Sequence, residues 1–140
     1  MTKRYLAIDY GTVRVGLAIS DPLGIIATGY KTLNNRGKEM SEIIQEIDLI
    51  IKDKGISKII LGLPKRTDGK AGEKEEQVQL FGKLLYEQTG MEPILMDERY
   101  TTVIANQYMN KLGTKSRNKK EIVDQVAAEI LLQDYLDRNR

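Results

Sequence analysis

Leu6-Ala7-Ile8-Asp9-Tyr10-Gly11-Thr12, continued by Val13-Arg14-Val15-Gly16-Leu17-Ala18-Ile19-Ser20, decides the fold. Arg4 to Tyr10 reads as a buried strand, Gly11-Thr12 as a turn, and Val13 to Ser20 as a returning strand, so the pair forms a hairpin. Asp9 stands at the tip of the first strand. Burying a carboxylate costs several kcal/mol unless it is paired or binds a metal. Asp9 is therefore either a turn residue or a working ligand. Met96-Asp97-Glu98-Arg99 and Ile122-Val123-Asp124-Gln125 place further acids in similar apolar settings.

Outward from the hairpin, Asp21-Pro22-Leu23-Gly24 has turn composition. Ile25 to Leu33 reads as a third strand, less apolar and at an edge. A helix follows from about Lys38 to Lys54, with Met40, Ile43, Ile44, Ile47, Ile50 and Ile51 on one face. Gly55 closes it as a C-cap. Lys58 to Leu63 is a short apolar strand, and Pro64 to Gly72 a loop rich in Gly and charge. Glu73 to Gln88 is helical, and Gly90 stops it. Pro93 to Met96 is a strand with Pro at its first position. Thr101 or Thr102 caps a further helix, a basic loop follows, and the last helix runs from about Lys120 to Leu136. The order β-β-β-α-β-α-β-α-α predicts an α/β fold. Its mixed five-stranded sheet joins a three-strand antiparallel meander to two parallel strands, with helices on both faces. The 140 residues suit a single domain.

Composition narrows the chemistry. The chain has no Cys and no His, which excludes disulfides, thiolate metal sites and the commonest general base. Catalysis would rest on carboxylates, Lys, Tyr, Ser or Thr, with a hard cation such as Mg2+ or Mn2+. No apolar stretch suits a signal peptide or a membrane span, so a cytoplasmic location and no membrane association are expected. Net charge is only +2, but Lys111, Lys115, Arg117, Lys119 and Lys120 cluster without an intervening acid. Such a segment is either solvated or in contact with phosphates.

Asp9 lies at the carboxyl end of the first strand, and Asp97-Glu98 just past that of the last. Ligands of open α/β sheets bind beyond those ends. Alternation along the strand points Asp97 and Glu98 apart, so one of them joins Asp9 and the residues leave open which. Asp124, early in the last helix, is either a first-turn acid favoured by the helix dipole or a third member of the site. Three such acids suit two divalent cations about 3.5–4 Å apart for in-line phosphoryl displacement.

Leu6 to Asp21 resembles the opening signature of the YqgF-type, Holliday-junction-resolvase-like family, whose members are also described as pre-16S ribosomal RNA nucleases. Leu61-Gly62-Leu63-Pro64 with Asp68-Gly69, Asp97 to Thr102, and Val123 to Ala128 match in the same order. The resemblance implies a ribonuclease H-like fold and a metal-dependent nuclease of pre-ribosomal RNA or branched DNA. It makes Asp9, Glu98 and Asp124 the catalytic, metal-binding triad, choosing Glu98 over Asp97. Asp21 belongs to the signature, but before Pro-Leu-Gly it reads as a turn residue, and Gly11 and Gly16 read as residues of tight turns and close packing. Arg14, Arg99, Lys65 and Arg66 fall near the expected active edge as phosphate contacts. The basic segment with Lys115, Arg117, Lys119 and Lys120 precedes the Asp124 helix and is expected to overhang that edge.

Two other classes compete. Ile8-Asp9-Tyr10-Gly11-Thr12 also resembles the phosphate-binding hairpin of the actin and sugar-kinase group, which binds ATP between two such domains, whereas this chain has room for one. A nucleic-acid-binding module without catalysis is the other. It predicts that binding survives Asp9→Asn.

Overall fold

The computed structural model describes residues 4–64, 72–97 and 116–139, with side chains in the last stretch from 122 onward. Within them are β1 (Tyr5–Tyr10), β2 (Arg14–Ser20), β3 (Ala27–Asn34), α1 (Met40–Lys54), β4 (Lys58–Leu63), α2 (Glu73–Thr89), β5 (Ile94–Asp97) and α3 (Ser116–Arg138). The strands form one sheet in the order β3-β2-β1-β4-β5. β1–β2 and β2–β3 are antiparallel, whereas β1–β4 and β4–β5 are parallel. The expected meander and parallel pair are both present. The helix expected from Thr101 lies outside the described residues.

Side-chain alternation along β1 divides the core in two. Leu6, Ile8 and Tyr10 pack with Ile43, Ile44 and Ile47 of α1 and Val78, Phe81 and Leu85 of α2. Ala7 faces the other way, against Ala128, Leu131 and Leu132 of α3. Asp9 is next in the Ala7 series, so it stands on the α3 face. The C-caps Gly55 and Gly90 hold φ of 64° and 77°, and their N–H groups close the last turns of α1 and α2.

Several boundaries shift by a few residues from the sequence expectation, α1 starting at Met40 and the last helix ending at Arg138 among them, and two shifts have a clear cause. β3 begins two residues late because Asp21 holds the chain in its turn. The Asp21 carboxylate accepts the N–H groups of Ile25 and Ile26 at 2.7 and 2.9 Å. Those bonds hold its carboxyl below the usual range. α3 begins at Ser116, not Lys120, so Arg117, Lys119 and Lys120 lie on helical backbone and not in a loop. Lys and Arg are good helix formers, and no Gly or Pro interrupts residues 116 to 120.

α3 is locked to β3 by three side chains at four-residue spacing. Gln125 donates to the Thr32 hydroxyl at 3.1 Å. The carboxylate of Glu129 accepts the Gly29 N–H, and the amide oxygen of Gln133 accepts the Ala27 N–H, both at 2.9 Å. Among the described residues, no helix is long and apolar enough to cross a membrane.

Candidate active site

An open cavity of 540 Å³ lies at the carboxyl end of β1. Its floor is the β1–β2 turn, from Asp9 through Arg14. Asp124 of α3 closes one side, and Glu73, Lys74 and Gln77 of α2 the other.

The approach of Asp124 to Asp9 has a specific cause. Asp9 pairs across the hairpin with Gly16. A Cβ placed on Gly16 would lie 2.2 Å from the Asp124 carbonyl oxygen and 2.9 Å from its Cβ. Only a residue without a side chain lets α3 sit this low on the sheet. Ala128, fully buried beside Ala7 and Ala18, continues the close contact along α3.

Arg14 and Asp124, 110 residues apart, form an ion pair, the Arg14 Nε donating to Asp124 Oδ2 at 2.6 Å. Their side chains are 32% and 21% exposed. Burial pushes the Asp124 carboxyl above its ordinary range, the Arg14 hydrogen bond and charge oppose that, and the nearby Asp9 carboxylate adds to it. Lys74 acts weakly in the sense of Arg14.

On the far side, Tyr10 stacks on Phe81 with ring centroids 4.3 Å apart. That contact fixes α2 beside the end of β1, with its first turn at the cavity. Glu73, Lys74 and Gln77 escaped the sequence reading. One signal could have found them: a helix entered from the carboxyl end of β4 starts at the same sheet edge as the end of β1.

The acids expected at the site divide. Asp9 and Asp124 share the cavity. Asp97 does not join them, because Ile94 and Met96 pack on the α3 cluster and alternation leaves Asp97 on the opposite face. Glu98 lies outside the described residues, as do Arg99, Lys65, Arg66 and Lys115; the side chains of Arg117, Lys119 and Lys120 do so too. Among the described residues, no three acids stand together as a metal site. The two present suit a hard cation, since both donors are carboxylate oxygens and Arg14 does not fully offset the burial of Asp124.

The sequence matches the family described as RuvX, Holliday junction resolvase, over residues 3–138. Relatives carrying the name "Putative pre-16S rRNA nuclease" include those of Acetivibrio thermocellus, 42% identical over 96% of this chain and 95% of theirs, and Fusobacterium nucleatum, 39% identical over 99% of both. The Agathobacter rectalis relative of that name is 38% identical over 96% of this chain and 94% of its own. Among solved structures, Thermus thermophilus RuvC in complex with a Holliday junction substrate superposes with a TM-score of 0.58 at 12% identity, covering 97% of this chain and 94% of that one. The Fowlpox virus resolvase complex with Holliday junction DNA gives a TM-score of 0.58 at 12% identity, over 97% and 98%. These two likenesses establish the fold.

Proposed function

The chain belongs to the RuvX Holliday junction resolvase family, and from that premise we propose that it is a divalent-metal-dependent nuclease that processes the 5′ end of pre-16S ribosomal RNA. The observation that carries this reading is the meeting of Asp9 and Asp124 in one open cavity at the carboxyl edge of the sheet. Asp97 faces away, and the family resemblance of residues 97 to 102 assigns the third carboxylate to Glu98. The ribosomal substrate is preferred because relatives at 38–42% identity over nearly the whole chain carry that name, whereas the resolvase structures share 12%.

Asp9, Asp124 and Glu98 would hold Mg2+ or Mn2+. When bound, such ions activate water and neutralise charge on the phosphodiester during in-line displacement. The chain's own residues prepare the site. Arg14 fixes the rotamer of Asp124 through the Nε contact and balances its charge. Gly16 sets the depth of α3, and with it the position of Asp124. The β1–β2 turn provides an open floor on which a strand can lie.

Cleavage of a substrate panel in Mg2+ or Mn2+ tests the reading. The panel holds pre-16S 5′ ends, single-stranded RNA and four-way DNA junctions. Asp9→Asn, Asp124→Asn and Glu98→Gln are each expected to lose about a hundredfold or more in kcat, as for the loss of one preorganised electrostatic group, with the fold intact. Full activity in all three would overturn it. Junction cleavage without RNA cleavage would make the chain a resolvase, and retained binding with no cleavage by the wild type a non-catalytic module.

A further inference from the structure

The cavity is bounded from both faces of the sheet. On the α3 face stand Asp124 and Arg14. From the opposite face comes the first turn of α2, carrying Lys74 and, one turn on, Gln77. The two cations are in different states. Arg14 is engaged by Asp124 through Nε. Lys74 is exposed and forms no ion pair among the described residues.

Helix stability does not account for Lys74. It sits in the first turn, where the macrodipole favours anions and where Glu73, Glu75 and Glu76 follow that preference. The residues one turn on, Gln77 and Val78, are not acids, so no i,i+3 or i,i+4 pair holds it. Its side chain lines the same cavity as Asp9 and Asp124. A cation at an unfavourable helix position, lining a cavity built around carboxylates, has a role if a polyanion enters.

We propose that Lys74 is a substrate-binding residue that takes a backbone phosphate flanking the scissile one, from the sheet face opposite the Arg14–Asp124 pair. The inference rests on the nuclease reading of this cavity. It implies that the nucleic-acid strand crosses the end of β1 and is held from both faces. Gln77 adds a neutral donor one turn further along. The ammonium acts as a point charge without bidentate geometry, so Lys74→Arg keeps the contact.

The test uses the full-length protein in an Asp9→Asn background, which binds without cleaving. Affinity for a labelled single-stranded RNA is measured across a salt series with Lys74, Lys74→Ala and Lys74→Arg. Loss of one phosphate contact lowers the slope of log K against log salt by about 0.7, and Lys74→Arg restores it. With Asp9 intact, Lys74→Ala is expected to raise KM severalfold and leave kcat within about twofold, as for a group that binds ground and transition states equally. If the wild type cleaves while Lys74→Ala leaves slope and KM unchanged, the Lys74 inference fails and the nuclease reading stands. A fall in kcat alone also overturns it, because Lys74 would then act on the reacting centre. If the wild type neither cleaves nor binds the RNA, the nuclease reading fails and takes the inference with it. A lowered slope without wild-type cleavage keeps Lys74 as a contact and removes only the catalysis.

Discussion

Among the described residues, Asp124 is the carboxylate whose ionised form burial disfavours. Burial is the largest influence on its carboxyl and raises it, Arg14 works against that, and Asp9 adds to the rise. The folded protein therefore holds this proton to higher pH than the unfolded chain does. It follows that stability falls as pH climbs through the raised value. At neutral pH the charged Asp124 is a net liability to folding, and a neutral isostere relieves it. In metal-free buffer at pH 7, Asp124→Asn is expected to melt no lower than the wild type. Arg14→Gln has the opposite sign, because it strands the carboxylate without its counter-charge. Partial exposure limits that loss to about 1 kcal/mol. The deficit should vanish at acid pH, where Asp124 is protonated in both states. The double variant should match Asp124→Asn alone. Thermal melts at two pH values check all of this, and an Arg14→Gln deficit independent of pH would refute it.

At the scale of elements, the site depends on how α3 lies on the meander. Gly16 sets the depth of that contact, and the ladder of Gln125, Glu129 and Gln133 on β3 sets its register. Gly16→Ala drives a methyl group into backbone, which cannot rotate away. The expected loss is about 1–3 kcal/mol, with a fall in cleavage larger than the stability change alone explains, because the displaced atoms belong to Asp124. Glu129→Ala, by contrast, orphans the Gly29 N–H and is expected to cost about 1–3 kcal/mol. Urea denaturation beside single-turnover cleavage at low temperature measures both. The sequence indicated close packing of the last helix through Ala128 but not that Gly16 would receive the Asp124 backbone, since Gly16 could equally have served a turn. The early start of α3 was hidden because the apolar periodicity begins only at Ile122, while the preceding turns are polar and still helical.

At the scale of the molecule, the described residues pack one core on each face of the sheet, and the α3 core underlies Asp9 and Asp124. Leu131 belongs to the α3 core and Ile47 to the α1 and α2 core, and both are buried. Truncating either to Ala should cost about 2–5 kcal/mol. Leu131→Ala is expected to lower cleavage well below its melting point, whereas Ile47→Ala leaves it near wild type. Equal losses from both would show that the site does not depend on α3 docking in particular.

The strands, the described helices and the hairpin with Asp9 at its tip were set by local pattern, and their order implied the parallel crossovers. Apolar periodicity and turn chemistry act between residues close in the chain, and so does the choice of sheet face along each strand. The expectation that any metal used here is a hard cation followed from composition, since the chain offers neither His nor Cys. The tertiary structure alone decided that Arg14 meets Asp124, that Gly16 admits α3, that the Ile94 and Met96 face of β5 is the one turned to α3, and that Lys74 reaches the cavity from the opposite face. Periodicity tells each element which side to bury. The atoms that meet are fixed only when elements more than a hundred residues apart settle into one register.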